Sequence, residues 1–227
     1  MNELIYISLM LGSLLFPFAF SFEKRIRFHT KWKYLWVAIA IPAAFFIIWD
    51  VWFTAKGVWW FNDPYILGPR LLDLPIEEWL FFVVIPYCSL FIYEIVKYFL
   101  PDTDQSKLLR PVLTVLAGVF ALITFLYVDR AYTFYNFLFN TLFLVFLLLN
   151  KWFREHLTHF ILAFFIAVIP MFLVNGVLTS LPVVGYNPVE NSGIRITTIP
   201  VEDFFYFFLL FMMNVFIYER LQWRSKS

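Results

Sequence analysis

Seven stretches of about twenty apolar residues constrain this chain most, because at ~1.5 Å per helical residue each is long enough to cross the hydrocarbon core of a bilayer. They run approximately over residues 4–22, 34–55, 76–99, 108–128, 131–149, 157–178 and 202–221. Hydrophobic residues fill 62% of the 227 positions and charged residues 15%, against about 45–50% and about 25% in soluble domains. Water is therefore not the solvent of most of this surface. An all-α integral membrane fold with seven transmembrane helices is expected.

The aromatic share, 23% with 31 Phe, exceeds what one core of this size hides, so part of it is expected to face lipid or a greasy ligand. A net charge of +1 argues against a nucleic-acid partner. The single cysteine, Cys88, permits neither an intrachain disulfide nor a cysteine metal cluster. Leu4 to Phe22 has no basic residue before it and no small-residue cleavage pattern after it, so it reads as a first span rather than a removable signal.

Cytoplasmic loops of membrane proteins hold the excess of Lys and Arg. Here only Lys56, Arg70, Arg130 and Arg195 fall on one side, and the other thirteen of the 17 basic residues fall on the opposite side. The N-terminus is therefore expected outside and the C-terminus in the cytoplasm, with the cell membrane as the bilayer.

Residues 50–94 and 175–219 align without a gap at an offset of 125: Thr54 with Thr179, Asn62 with Asn187, Gly68 with Gly193, Arg70 with Arg195, Pro75 with Pro200, Glu77 with Glu202. Polar matches carry weight in a chain so poor in polar residues. They imply two parallel three-helix repeats, residues 1–100 and 131–227, joined by a connector helix within 101–130. In this 3+1+3 plan the pseudo-twofold runs along the membrane normal and a site forms where the halves meet.

Each copy carries a proline and two adjacent carboxylates where a span begins: Pro75-Ile76-Glu77-Glu78 and Pro200-Val201-Glu202-Asp203. Proline just inside a helix start needs no special role, since its missing N–H would be unpaired there anyway. Acids in a first turn suit the helix dipole equally well. Depth and duplication favour function, because ionisable groups at a membrane boundary are expensive. Side-by-side carboxyls can share a proton, leaving one as general acid and another as base. Asp50 and its equivalent Asn175, with Asn62 and Asn187, are candidates to orient them or to brace loops. Arg70 and Arg195 are candidates to bind a carboxylate bidentately or to form structural ion pairs. Glu94 and Glu219, 17 residues beyond Glu77 and Glu202, lie about 25 Å down the helix and are expected to pair with Lys97 or Arg220. Aromatic residues around the motifs, Trp79 and Phe204 next to them, suit a site that stabilises a cation. No Gly-x-Gly occurs, and no lysine lies within residues 202–221 to form a Schiff base.

The duplicated Pro-x-Glu-(Glu/Asp) motif at two helix starts resembles the lycopene cyclase domain of carotenoid biosynthesis, over essentially the whole chain and in the fused, stand-alone form. The resemblance implies a lycopene β-cyclase, an intramolecular lyase or isomerase that closes the linear ψ-ends of lycopene to β-rings without cofactor or metal. Glu77 and Glu202, or their neighbours Glu78 and Asp203, are then the expected proton donor and acceptor. Lycopene and the bilayer are the implied partners, with association with other carotenoid enzymes or self-association open. A membrane transporter built on the same 3+1+3 repeat is the rival class. Within the enzyme class, ε-cyclisation, C50 substrates and hydration of the same cation also stay open.

Overall fold

A computed structural model describes residues 2–100, 106–150 and 155–225. Seven helices are long and apolar enough to cross a membrane: α1 (Ile5–Phe20), α2 (Trp32–Lys56), α3 (Ile76–Phe99), α4 (Ser106–Leu126), α5 (Ala131–Leu149), α6 (Leu157–Ser180) and α7 (Val201–Arg224). They match the seven expected spans. The ends differ by a few residues: α7 continues past residue 221 to Arg224, since a helix does not stop where hydropathy does. Leu15, Ile48, Phe125, Leu149 and Phe165 stand exposed on their outer faces. So many large apolar side chains facing outward belong in lipid.

The loops joining α2 to α3 and α6 to α7 hold short strands that the helical reading did not contain: β1 (Trp59–Phe61), β2 (Arg70–Leu71), β3 (Leu74–Pro75), β4 (Val184–Tyr186), β5 (Arg195–Ile196) and β6 (Ile199–Pro200). β2 and β3 close a hairpin whose two loop residues, Leu72 and Asp73, both take left-handed φ, as a tight hairpin turn requires. β5 and β6 form the equivalent hairpin, with Thr197 left-handed. Each hairpin leads into a helix, and Pro75 and Pro200 are the residues immediately before α3 and α7. The expected place of the prolines just inside the helix is thus shifted out by one residue, where each also pairs with Arg70 or Arg195.

β1 and β4 pair antiparallel, with Trp60 opposite Gly185 at the centre. The bonds flanking this ladder recur at the 125-residue interval. Asn62 N–H donates to the Val183 carbonyl at 3.0 Å, and Asn187 N–H to the Val58 carbonyl at 2.9 Å. Ile76 N–H donates to Pro69 and Val201 N–H to Ile194, at 3.1 and 3.0 Å. Helix packing follows the same interval: α1 lies on α3 as α5 lies on α7, and α2 meets α7 as α6 meets α3. α3 and α7 are the most buried helices and α1 and α4 the least; α4 packs chiefly on α5.

At the opposite end of α3 and α7, Glu94 takes Lys31 and Lys97 (the latter at 3.8 Å), and Glu219 takes Lys97 and His156 (the latter at 3.8 Å). Lys97 is thus the partner expected for both acids, and it ties α3 to α7. Lys151, Arg154 and Lys226, counted on the basic side, lie outside the described residues.

A Cβ at position 185 would overlap the Trp60 indole, so the crossing of the two loops depends on glycine there. Gly185→Val is expected to lower stability by about 1–3 kcal/mol through overpacking, with much of the loss relieved by adding Trp60→Ala. Thermal unfolding in detergent reads both.

Candidate functional site

The two adjacent acids of each motif part company as soon as α3 and α7 begin, because neighbouring residues on a helix point about 100° apart. The first of each pair, Glu77 and Glu202, turns back under the incoming loop. Glu77 Oε1 accepts from Leu67 N–H at 2.7 Å, and Glu202 Oε1 accepts from Ser192 N–H at 2.6 Å, the same position 125 residues on. Glu202 Oε1 also accepts from Thr133 Oγ1 of α5 at 2.6 Å, and the neighbouring Asn136 amide donates to the Glu202 carbonyl. Both side chains are fully buried, and Oε2 of each finds no partner among the described residues.

The second of each pair, Glu78 and Asp203, faces a cavity of about 70 Å³ between α3 and α7, which Asp50 of α2 also lines. Tyr6, at the start of α1, donates to Glu78 Oε2 at 2.5 Å. Tyr132, at the start of α5, donates to Asp203 Oδ1 at 2.6 Å. The two tyrosines play the same part in the two halves.

Beyond that pairing the surroundings of the two acids differ at three positions of the 125-residue interval: Asp50 against Asn175, Phe61 against Tyr186 and Phe81 against Tyr206. The Asp50 carboxyl lines the same cavity as that of Glu78, and its Oδ1 accepts from Tyr206 at 2.6 Å. The equivalent residue, Asn175, donates its amide to Asp203 Oδ2 at 3.0 Å, and Tyr186 donates to the same oxygen at 2.8 Å. Two buried carboxyls facing one small cavity disfavour each other's ionisation, an arrangement suited to sharing a proton. Asp203, receiving three donors and meeting no second acid of this kind, is arranged to stay an acceptor. In the loop between α6 and α7, burial and then the charge of Asp203 hold the Tyr186 hydroxyl well above its ordinary pKa, so it remains a donor.

Aromatic rings of Trp59, Phe61, Phe81, Tyr206 and Phe207 share the remaining wall with aliphatic side chains from α3, α6, β4 and α7. The other residues singled out by the sequence lie around this cavity rather than in it. Asn62 donates to the Pro182 carbonyl, and Asn187 Oδ1 accepts from Val189 N–H at 3.1 Å, so each braces a loop. Arg70 binds the Asp63 carboxylate at 2.7 Å and the carbonyls of Phe61 and Asp73. Arg195 donates to the Thr198 carbonyl and lies 5.8 Å from the Tyr186 ring centre. Trp79 bonds the Leu71 carbonyl at 3.1 Å, and Phe204 packs on Phe172. Four hydroxyl donors, Tyr6, Tyr132, Tyr186 and Tyr206, escape the sequence reading, which takes Tyr206 as an aromatic only and does not single out the others. The signal for Tyr6 and Tyr132 is present, 72 and 71 residues before the acids they bind, but outside the aligned stretch. Among the described residues, no group of three His, Cys, Asp or Glu side chains is placed to hold a metal ion.

These features define a polytopic membrane protein with one enclosed carboxyl and tyrosine cluster near one end of its central helices. The chain belongs to the lycopene cyclase family, whose model matches residues 3–96 and 129–221. Fungal proteins described as bifunctional lycopene cyclase/phytoene synthase are similar to parts of it. The one from Phaeosphaeria nodorum is 35% identical over 74 residues, 33% of this chain and 12% of the relative. That from Leptosphaeria maculans is 38% identical over 61 residues, 27% and 10% respectively, and that from Neurospora crassa 39% over 57 residues, 25% and 9%. The matches thus span about a tenth of those relatives' length. No solved structure matches.

The bonding pattern separates the two acids of each motif experimentally. Glu202→Ala leaves the Ser192 N–H and Thr133 hydroxyl without their buried acceptor and is expected to cost about 1–3 kcal/mol for each donor orphaned. Glu202→Gln keeps an acceptor and is expected to cost clearly less, as thermal unfolding in detergent would read.

Proposed function

We propose that this chain is a lycopene β-cyclase that closes the linear ψ-ends of lycopene to β-rings, giving γ-carotene and then β-carotene, by proton transfer alone. One observation carries the reading: two carboxyls, Asp50 and Glu78, share an aromatic-lined cavity with a third, Asp203, held by three donors. Family membership supplies the substrate class, and the names of the fungal relatives agree with it.

In this mechanism the Asp50–Glu78 pair delivers its proton to C2 of the terminal alkene, leaving a tertiary cation at C1. The C5–C6 double bond attacks that cation, forming the C1–C6 bond and moving the charge to C5. Asp203 then removes the C6 proton, and its electron pair sets the C5–C6 alkene of the ring. No atoms are gained or lost, so the reaction is an isomerisation. The proton returns from Asp203 to the pair before the next turnover. Rings of Trp59, Phe61, Phe81 and Phe207 present π-faces to the cations and exclude the water that would trap them. Glu77 and Glu202 act on this chemistry only by seating the loops that close the cavity.

The reading extends to architecture. The chain comprises two copies of a three-helix unit, residues 1–100 and 131–227, with α4 as connector, and one site shared between them. The recurring loop bonds, and a family match in two stretches separated by α4, support it. In this reading the N-terminus and the acid cavity face the outer side of the cell membrane and the C-terminus the cytoplasm, which the uneven distribution of basic residues supports. A transporter of this plan needs helices interrupted at mid-depth, whereas α3 and α7 run unbroken and carry Glu78 and Asp203 in their first turns.

Expression in a lycopene-accumulating bacterium, followed by chromatography of the pigments, is expected to give β-carotene. Unchanged lycopene would overturn the function, and ε-rings, hydrated ends or action confined to C50 carotenoids would overturn the β-assignment. Glu78→Gln and Asp203→Asn are expected to lose at least about 10²-fold in ring formation, the scale of a missing general acid or base. Glu77→Gln, which keeps an acceptor for Leu67 N–H, is expected to retain most activity. Conversion in D₂O is expected to place one deuterium in each ring, at C2, because the pair's proton exchanges with solvent. Mass spectrometry of the product reads the count.

A further inference from the structure

A second cavity, of about 300 Å³, lies among α1, α3 and α6. It shares Ile85, Met171, Val174 and Phe207 with the acid cavity, so the two adjoin through one wall. Its other lining is almost wholly apolar and follows α3 down to Ile95, about 25 Å along the helix from Glu78. It reaches the outer face at Phe16, which is 59% exposed. Its volume is at the low end for ligand pockets, ~300–1,000 Å³. It therefore holds one end of a long apolar chain and leaves the remainder in lipid.

The other half should contain the same space among α5, α7 and α2, since helix packing there is equivalent. It is filled. At the positions matching Pro170, Met171 and Val174 by the 125-residue interval stand Phe45, Phe46 and Trp49. At the position matching Ser13, by the 126-residue interval that relates Tyr6 to Tyr132, stands Phe139. These four rings pack on one another, Phe45 on Phe139 at 5.2 Å, Trp49 on Phe139 at 4.9 Å and Phe46 on Trp49 at 5.7 Å between ring centres. Small or unbranched side chains on one side of the protein are thus exchanged for an aromatic plug on the other.

We propose that the polyene reaches the acids by one passage only, between α1, α3 and α6, and that the plug leaves the chain with a single site that takes one end of the substrate per visit. This inference rests on the cyclase reading. The one-ring product must leave, turn end for end and re-enter before its second end can close, because no equivalent passage admits that end from the other side. The asymmetry agrees with the acids, which also differ between halves: Asp50 beside Glu78, Asn175 beside Asp203.

Three measurements test it. Glu78→Gln protein purified from lycopene-accumulating cells is expected to retain lycopene, read by its visible absorbance, whether or not the native protein forms rings. Transplanting the plug into the passage in that background, as Val174→Trp or Ser13→Phe, is expected to reduce retention at least 10-fold, while Phe45→Leu and Phe139→Leu in the plug leave it unchanged. Elution and thermal unfolding establish that each variant is folded, and the two passage variants act on different helices, so misfolding of one leaves the other. Equal retention in the passage variants, or equal loss in the plug variants, overturns the passage. The third measurement needs no variant: wild-type protein in liposomes converts labelled lycopene in the presence of excess unlabelled γ-carotene. Label is expected to stop at the one-ring stage. Label passing undiluted to β-carotene overturns the single-end site while leaving the cyclase reading standing, whereas absence of rings altogether overturns that reading and leaves retention to decide the passage.

Discussion

Placing five carboxyl groups, those of Asp50, Glu77, Glu78, Glu202 and Asp203, near one end of an apolar helix bundle is the constraint on which the rest of this structure depends. An unpaired buried carboxylate is too costly to keep, so each must be given donors or share a proton. Glu77 and Glu202 receive the backbone N–H groups of Leu67 and Ser192, and that requirement fixes how each outer loop folds back onto a helix start. Glu78 and Asp203 receive tyrosines from α1 and α5, which sets how the outer helices stand against the central pair. The loops, the hairpins and the packing of the first helices are all consequences of satisfying these acids.

The seven spans were legible because hydropathy averaged over twenty residues is insensitive to detail. The short strands were not, because β1 and β4 are three residues each and find their partners across an interval far longer than any local pattern. The prolines were legible as helix-start signals to within one residue, the usual slack at a helix boundary. Among the site residues, spacing marks the paired acids but is silent on which of each pair turns inward, since that depends on how the helix is rotated by its neighbours. The tyrosines were hidden for another reason. In a chain with 12 Tyr and a membrane surface, tyrosine reads as an interfacial residue until a carboxylate is found beneath its hydroxyl.

The difference between Asp50 and Asn175 can be seen in the sequence, yet its meaning appears only when each is set beside its partner. Two identical halves would place two identical carboxyl environments across the cavity, and identical groups make poor opposites in an acid–base pair. Substituting an amide for an acid at one position supplies a donor to Asp203 where the other half offers Glu78 a second acid. At two further positions of the interval a phenol stands for a phenyl, Tyr186 for Phe61 and Tyr206 for Phe81, so the surroundings of Glu78 and Asp203 differ by three exchanges.

The same logic governs the aromatic residues. A pocket that generates tertiary cations gains from π-faces near the charge, but a ring that fills space also denies it to substrate. In the second half the rings of Phe45, Phe46, Trp49 and Phe139 occupy the volume that stands open in the first, and they do so directly behind Tyr206, whose hydroxyl holds Asp50. Tyr206 packs on Phe46 and Trp49, so the plug also fixes the angle from which Asp50 meets Glu78. In the proposed reading the side chains that close one passage also back Tyr206, so opening the plug wide at Trp49 would disturb the Asp50 that Tyr206 holds.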